Sequence, residues 1–487
     1  MSILTSIFTN ISYYSKSKFK DKNKMELKMK QKLMVTPSKP TWKGNQSLSV
    51  WDQIGCTTHT SVIYFYAPNT TPFETVTQTL IDSLSHTLLH FYPLAGRLRN
   101  LDNSGFQLEC NEDGAVFVVA ELNADLSHFE KDHFTPTPES NRFLIPYINE
   151  SLPIHERPLL LVQLTKLSCG GLSLGITMSH VVVDGVSAAS FTKEWARIAR
   201  GLPLQNAPLF DKKAFGVGDC CVANPQRFDH SNDFCNKMPF LLKQSNAAAP
   251  TTTEERKKME TTLFTLKLTK EQVQKLKNKA NNNDQDRRSR PYTCYEALTA
   301  HIWRCSVKAR KNLKEQVTAC LVSVDLRQRL QPPLPLSYFG NGAFQPMASC
   351  EAGELLCKPL SYGVSKVRSV IEMVTNDYIM SATEFLKSEK DLTKFQNSYE
   401  STSSNGGGGR HWGNPNIIVT SWLNLSFEGI DFGWGNEIHF GLAYEEIDGG
   451  FLILRDNNND ADHSVFVNGG LLLQHFEAFK NYFYNDI

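Results

Sequence analysis

Hydrophobic and polar positions alternate with two different periods along the first half of the chain. Residues 61–66 form a β-rich apolar run, and residues 172–179 alternate apolar and polar side chains, which is the period of a strand. The glycines before the second run predict a hairpin over 158–179. Residues 75–89 instead repeat apolar side chains every three or four positions, which predicts an amphipathic helix.

The same two periods return in the second half. A strand is predicted from Thr261, and a helix after it begins with a capping box from Thr269 to Gln272. Further helices are predicted over 295–302 and 361–386, and further strands over 317–324 and 417–425. Because strands and helices mix in both halves, the predicted fold class is α/β with mixed sheets and flanking helices.

The length of 487 residues exceeds the roughly 250–300 residues that one hydrophobic core usually serves, so two domains are expected. Residues 202–260 have no sustained period, which is typical of a connection. The predicted division is an extension over 1–24, a first domain over 25–215, a connecting segment over 216–260 and a second domain over 261–487. The basic stretch before Met25 is interpreted as a transit peptide or, preferably, as sequence upstream of the true start.

Composition narrows the classes of function. Lys plus Arg number 51 and Asp plus Glu 50, and the net charge of +1 argues against a general nucleic-acid binder. No apolar run reaches the roughly 18 residues that a membrane helix needs. The 11 cysteines are odd in number, lack CxxC spacing and follow no secretory segment. They predict reduced thiols in a cytoplasmic protein and no metal site.

The candidate chemistry lies at the end of the second hairpin strand, where His180 is followed by three valines and Asp184. An imidazole exchanges protons near neutral pH, and a strand end can deliver it to a cleft. Asp184 then has two possible roles, since it could orient the imidazole as the acid of a triad does or pair with an arginine. The same spacing recurs from His128 to Asp132, in a charged stretch that is interpreted as a solvated loop.

Three other motifs have simpler interpretations. The run 431–435, Asp-Phe-Gly-Trp-Gly, lacks the other kinase motifs and is interpreted as a structural turn. The four glycines at 406–409 are not followed by Gly-Lys-Ser/Thr, so they predict a flexible loop and no phosphate loop. Arg327 follows a predicted strand, where it could hold a buried carboxylate or remain at the surface.

Taken in order, these motifs resemble the plant BAHD acyl-CoA-dependent acyltransferases. The run 179–185, Ser-His-Val-Val-Val-Asp-Gly, precedes the run 431–435, and further family marks lie at 93–98, 300–304 and 338–341. Within the family, the chain is most similar to spermidine hydroxycinnamoyl transferases. The stretches that carry this closer likeness include 51–55, 58–59, 64–66, 90–93, 166–171, 194–197 and 384–392.

The resemblance implies two domains of chloramphenicol-acetyltransferase-like topology, with an active-site channel at their interface. It implies that His180 is the general base and that acyl-CoA is a co-substrate, with no tightly bound cofactor. The partners are expected to be small molecules, without nucleic acid or membrane, and the protein is expected to be a monomer. The resemblance further implies structural support of the site, from Asp184, which would point away from the channel and pair with Arg327, and from the remote turn with Asp431, Gly433 and Trp434.

Acyl transfer needs more than a base. An amine or hydroxyl attacks a thioester carbonyl, and the tetrahedral oxyanion then needs a hydrogen-bond donor. The indole N–H of Trp422 is the candidate, with Thr420 or Ser421 as alternatives. No activated serine or cysteine nucleophile accompanies His180, so no covalent acyl-enzyme is expected.

The expected acceptor is a polyamine amine such as spermidine, which would receive a hydroxycinnamoyl group. Family members that act on shikimate or quinate carry an arginine two positions after the strand tryptophan, and Asn424 occupies that position here. Glu384 is a candidate for holding a remote ammonium, unless it is an ordinary exposed helical glutamate, and His59 is a further acceptor candidate. Two alternatives stay open, namely ester formation on an alcohol and a non-catalytic CoA-binding paralogue.

Overall fold

The computed structural model describes most of the chain, namely residues 25–55, 57–101, 105–215, 228–230, 233–234, 260–282, 290–392, 395, 415–425, 427–443, 447–456 and 464–487. The predicted extension over 1–24, most of the connecting segment and the loop at 406–409 lie outside these residues. Within them, no helix is both long and apolar enough to cross a membrane.

In the described residues of the first half, one large sheet carries helices on its face. Its strand order is β1-β6-β7-β8-β3-β15, and β2-β5-β4 form a smaller sheet. The strands of this half are β1 (Leu27–Val35), β2 (Gly44–Ser47), β3 (His59–Tyr66), β4 (Arg97–Leu101), β5 (Gly105–Cys110), β6 (Ala115–Leu122), β7 (Leu160–Leu167) and β8 (Leu172–Ser179). The helices are α1 (Val50–Gln53), α2 (Phe73–His90), α3 (Leu126–Glu130), α4 (Pro138–Leu144) and α5 (Gly185–Ala199), with 3₁₀ turns at Tyr92–Ala95, Ile154–Glu156 and Lys212–Phe215.

The described second half is built around another sheet, in the order β13-β10-β14-β16-β17-β9, with β11 and β12 paired separately. Its strands are β9 (Thr261–Leu268), β10 (Val317–Val322), β11 (Val324–Asp325), β12 (Ala343–Phe344), β13 (Met347–Glu351), β14 (Ile417–Ser421), β15 (His439–Leu442), β16 (Gly450–Arg455) and β17 (Val465–Leu472). Its helices are α6 (Lys270–Asn282), α7 (Cys294–Arg310), α8 (Ala352–Cys357), α9 (Leu360–Met373), α10 (Asn376–Ser388) and α11 (Leu473–Asn485). Both large sheets mix parallel and antiparallel pairs, which confirms the predicted α/β class.

One strand of the second half completes the sheet of the first. β15 pairs antiparallel with β3, so that His439 lies opposite Phe65 and Leu442 lies opposite Val62. The apolar residues around β15 share a hydrophobic core with β3 and α5. A division at residue 261, as drawn from the sequence pattern, therefore separates a strand from the sheet in which it pairs.

The strand predicted at 61–66 is confirmed as β3, and the chain before it, around Trp51, begins with a helical turn. The Ser49 hydroxyl accepts a hydrogen bond from the Asp52 N–H at 3.1 Å, and the Asp52 carboxylate accepts one from the Ser49 N–H at 2.9 Å. This capping box starts α1, and β3 begins at His59.

Residues 361–386 are largely helical as predicted but form two helices, and one predicted strand is shorter than expected. The helix expected over 361–386 is divided into α9 and α10, because the Thr375 side chain accepts from the Tyr378 N–H at 3.3 Å and caps a new helix. The strand expected over 417–425 ends at Ser421, since the chain then turns and Leu425 donates to the Trp422 carbonyl at 3.0 Å. The turn leaves Trp422 at the end of β14, where the two halves of the protein meet.

Candidate functional site

His180 lies in the short loop between β8 and α5. The three valines that follow it are buried, and its own N–H donates to the Thr58 carbonyl at 3.1 Å. The backbone of the loop is therefore fixed on the sheet while the imidazole remains partly exposed. The ring atom Nδ1 is buried and has no hydrogen-bond partner in the described part of the chain. Nε2 is then the ring nitrogen that a substrate can reach.

The Asp184 carboxylate contacts Arg327 and leaves the imidazole free. Two guanidinium nitrogens of Arg327 lie 2.8 and 2.9 Å from the two carboxylate oxygens, and both side chains are buried. Asp184 also caps α5 by accepting from the Ser187 N–H at 2.9 Å. Of the two roles that the sequence left open for Asp184, these contacts are those of an arginine partner.

The electrostatics of this pair follow from its geometry. Burial alone would raise the pKa of Asp184, but the charge and hydrogen bonds of Arg327 outweigh it and hold that pKa below its ordinary value. The pair joins the start of α5 to the segment after β11. It therefore fixes the His180 loop against the second half of the protein.

Trp422 approaches the same loop from the second half. Its indole stacks on Phe440, with ring centroids 5.9 Å apart. Its Nε1 atom lies 3.7 Å from the place that a Cβ on Gly185 would occupy, and that Cβ would also come within 2.8 Å of Leu425. Glycine at the first turn of α5 therefore leaves room for Leu425, while Trp422 lies at van der Waals distance from the same position.

The other oxyanion candidates each have a described hydroxyl contact, but only the contact of Thr420 can use the hydroxyl hydrogen. The Thr420 hydroxyl lies 3.1 Å from the Ser323 hydroxyl, so either oxygen can donate to the other. The Ser421 hydroxyl accepts a long hydrogen bond from the Leu423 N–H at 3.4 Å. Of the three candidates, Trp422 has no hydrogen bond from its N–H among the described contacts.

The acceptor candidates do not come together in one cluster. His59 pairs with Ser179 on the neighbouring strand, but its Nε2 lies 2.8 Å from the Pro158 carbonyl, and burial lowers its pKa. The Nε2 atom of this partly buried imidazole is therefore engaged by the backbone. Glu384 on α10 and Asn424 after β14 are both exposed. No described contact links either one to His180.

The turn 431–435 lies far from His180. The Asp431 carboxylate accepts from the N–H groups of Gly433 and Gly435 at 2.7 and 3.0 Å, and both glycines have positive φ. Trp434 stacks over Phe432, with ring centroids 5.7 Å apart. The turn contacts the end of α5, which is roughly 20 Å from the first turn of that helix at 1.5 Å per residue.

A second histidine has the appearance of a catalytic triad. His230 Nδ1 lies 2.8 Å from the Asp233 carboxylate, and Nε2 lies 2.9 Å from the Ser381 hydroxyl. Tyr378 also donates its hydroxyl hydrogen to Asp233. His230 and Ser381 are only 1% and 5% exposed, so a substrate has no path to the serine in this arrangement. This cluster fastens a piece of the connecting segment to α10.

Three polar residues near His180 were not predicted as site residues, namely Asn341, Asp52 and Lys212. Asn341 donates from its side-chain amide to the His180 carbonyl, and it contacts Asp52, which pairs with Lys212. Asn341 lies in the family mark at 338–341, which is the signal that could have identified it. Lys212 carried no signal in the sequence. Metal ligands are not gathered anywhere in the described residues, where no group of three or more His, Cys, Asp or Glu side chains could hold an ion.

Comparisons with known proteins agree with this architecture. The chain is 41% identical to a hydroxycinnamoyl-CoA:piscidic acid hydroxycinnamoyltransferase of Actaea racemosa, over 94% of the chain and 99% of the relative. It is 33% identical to a shikimate O-hydroxycinnamoyltransferase of Nicotiana tabacum, over 95% of the chain and 100% of the relative.

Two solved structures show the same fold. One is vinorine synthase, with a TM-score of 0.67 and 22% identity over 93% of this chain and 96% of that one. The other is F. graminearum TRI101 complexed with coenzyme A and T-2 mycotoxin, with a TM-score of 0.73 and 14% identity over 91% and 97%. The predicted chloramphenicol-acetyltransferase-like architecture is confirmed. The Transferase family matches residues 25–486, and the chain therefore belongs to this family of BAHD acyl-CoA-dependent acyltransferases.

Proposed function

We propose that this enzyme moves a hydroxycinnamoyl group from acyl-CoA to an amine of a polyamine such as spermidine, with His180 as the general base. The observation that carries the proposal is the His180 loop, whose backbone is fixed while Nε2 stays available. The hydroxycinnamoyl donor is supported by the names of the two curated relatives. The amine acceptor is supported by the likeness of the sequence to spermidine acylating enzymes.

In the proposed reaction, a neutral amine nitrogen attacks the thioester carbonyl carbon as His180 Nε2 takes its proton. The proton transfer contributes ~10²–10⁴ in rate. The carbonyl π electrons move to oxygen, and the Trp422 N–H donates to the oxyanion, with Thr420 as the alternative donor. The intermediate collapses, the C–S bond breaks, and the imidazolium returns the proton to the CoA thiolate. Amide and free CoA are the products, and no acyl-enzyme forms.

Only a few residues besides His180 and the oxyanion donor are given a role in this proposal. Asp184 and Arg327 support the loop, and Asp431, Gly433 and Trp434 stabilise the fold at the far end of α5. Acceptor contacts from Glu384, Asn424 and His59 gain no support from their positions. The acceptor site is therefore proposed without assigned side chains.

A second candidate function is ester formation. It is favoured by the relative from Nicotiana tabacum, which is a shikimate O-hydroxycinnamoyltransferase. The argument against an anionic acceptor requires Asn424 to face the acceptor. Asn424 is exposed, and no described contact places it at the acceptor site.

The test is a panel in which p-coumaroyl-CoA is offered with spermidine, shikimate or piscidic acid at equal concentrations, and products are identified by mass spectrometry. Acid- and alkali-stable amides of spermidine are expected. Esters without amides would move the assignment to the second function, and CoA release without any conjugate would contradict both.

Trp422→Phe tests the oxyanion donor, because phenylalanine keeps the stack on Phe440 and removes the N–H. We expect kcat to fall ~10²–10³-fold, with little change in KM for acyl-CoA, because the donor acts on charge that develops in the transition state. Thr420→Val is the matched variant for the alternative donor. If kcat falls further in Thr420→Val than in Trp422→Phe, Thr420 is the oxyanion donor.

A further inference from the structure

The turn Tyr338–Gly342 lies between two buried carboxylates that both come from the first half. Asp184 accepts from the Gly342 N–H at 2.9 Å, and Asp52 accepts from the Asn341 N–H at 2.7 Å. Successive backbone N–H groups of one turn are therefore held by two different carboxylates. One belongs to the pair with Arg327 described above, and the other has no assigned role.

Asp52 has its own cation. Lys212 Nζ lies 3.0 Å from the Asp52 carboxylate and donates to the Phe339 carbonyl at 3.0 Å. Asp52 is fully buried and the Lys212 side chain is only 12% exposed. A Cβ on Gly340 would collide with Lys212 Nζ, so the ammonium is packed against the turn. A buried ion pair adds little net stability by itself, which directs attention to the geometry that it fixes.

That geometry leads to His180. The side-chain amide of Asn341 donates to the carbonyls of both His180 and Val181, each at 2.9 Å. These carbonyls belong to the first two residues after β8, where the chain leaves the sheet. An amide has two N–H donors, and both are engaged by the loop that carries the imidazole. The chain of contacts thus runs from Lys212 through Asp52 and Asn341 to the backbone of His180.

We propose that Asp52, Lys212 and Asn341 are positioning residues for His180, and that they act together with the Asp184–Arg327 pair, which holds the same turn at Gly342. Lys212 fixes the Asp52 carboxylate, Asp52 fixes Asn341, and Asn341 fixes the two carbonyls from which the imidazole projects. Arg327 fixes the other end of the same loop, at the start of α5. This inference rests on the proposed role of His180 as the base.

Asn341→Ala is the direct test, with kcat, KM for acyl-CoA and the melting temperature measured on the full chain. We expect kcat to fall ~10²-fold, the loss that a displacement of about 1 Å produces, with KM changed less than threefold. Asp448→Asn is the matched control, because Asp448 forms another buried ion pair, 2.9 Å from Arg310. Asp448 precedes the first residue of β16, whereas Trp422 follows the strand end that pairs with Ile453. The control should lower the melting temperature and leave kcat unchanged. If Asn341→Ala behaves like this control, the proposal is overturned.

A double variant covers the case in which Asn341→Ala fails to fold. Asp52→Leu with Lys212→Met replaces the ion pair by apolar side chains of similar volume, a change that buried pairs often tolerate. It removes the acceptor that holds Asn341, so kcat should fall at least tenfold in a folded protein. Unchanged kcat in the folded double variant would overturn the proposal.

A readout without turnover separates this inference from the proposed function. In ¹⁵N-histidine NMR spectra, the His180 ring signals are identified by their loss in His180→Ala. We expect these signals to shift in the double variant and to stay in place in Asp448→Asn. If the wild-type protein transfers no acyl group, the proposed function fails, while the His180 signals still decide whether the three residues position the ring. Unshifted signals would reject the positioning role.

Discussion

His180 and His230 are held in opposite ways. Both ring nitrogens of His230 have partners, an aspartate and a serine, and the ring is buried. His180 has a fixed backbone, a partly exposed side chain and a ring nitrogen without a partner among the described residues. The arrangement around His230 has the hydrogen bonds of a triad and no access, whereas His180 has access and no triad.

The comparison shows that an imidazole becomes useful for chemistry when the protein fixes its main chain and leaves its ring unsatisfied. A buried histidine with two partners gives stability, because removing either partner leaves a polar atom unpaired. An imidazole without partners gives little to stability and is available to a substrate. Four variants, two of them with a matched control, can break or sharpen this contrast.

The largest effect is expected from His180→Ala, which should lower kcat ~10²–10⁴-fold because the proton acceptor is lost. Its melting temperature should stay close to that of the wild type, since the ring makes no hydrogen bond with described residues. His230→Ala should do the reverse, with a lower melting temperature and kcat of the folded fraction within a few-fold of wild type. Steady-state kinetics with thermal unfolding measures both. The contrast fails if His230→Ala is stable and inactive.

The next effect concerns the pair that supports the His180 loop. Arg327→Met should lower the free energy of unfolding at neutral pH by about 3–5 kcal/mol, because it leaves the Asp184 carboxylate buried without its cation. The pKa of Asp184 is held below its ordinary value in the wild type, so the stabilisation is present at neutral pH and is lost as pH falls through that lowered pKa. The difference between variant and wild type should therefore shrink below about pH 4.

Denaturant unfolding from pH 7 downward checks this dependence. Arg99→Met is the control, because it removes an exposed arginine that pairs with Glu109, and its free energy of unfolding should stay close to that of the wild type. If the difference in free energy of unfolding between Arg327→Met and the wild type grows on acidification, the expected pH dependence is wrong.

The smallest effect is expected at the His230 cluster. Ser381→Ala should lower the free energy of unfolding by about 1 kcal/mol, the usual contribution of one hydrogen bond, and leave kcat unchanged. Ser369→Ala on α9 is the matched control, because its hydroxyl is exposed and bonds only within the helix. It should stay within about 0.5 kcal/mol of wild type. Loss of kcat in Ser381→Ala would give the cluster a part in catalysis.

Local elements were predictable because their signals are local. The helix expected over 75–89 appears as α2, and the hairpin expected over 158–179 appears as β7 and β8. The capping box at Thr269 and Gln272 is formed in both directions, with distances of 2.9 and 3.3 Å. In each case the residues that decide the element lie within one or two turns of each other.

Contacts between distant segments were not predictable in the same way. Asp184 and Arg327 are 143 residues apart, and only the family resemblance connected them before the fold was known. Asp52 and Asn341 are 289 residues apart, and His230 and Ser381 are 151 apart. The hydrophobic period of the sequence cannot predict such side-chain pairs, because they depend on how the two sheets are arranged. The position of β15 in the sheet of the first half has the same origin.

The pairing of β15 with β3 has a consequence for the order in which the protein can fold during synthesis. A ribosome releases β3 early, but the strand that covers its open edge, His439–Leu442, emerges close to the end of the chain. Until then, an edge with unpaired backbone groups and an apolar face is available to other chains. A fragment that stops before His439 is therefore expected to aggregate, and a chaperone that shields β3 would be needed for most of the time of translation.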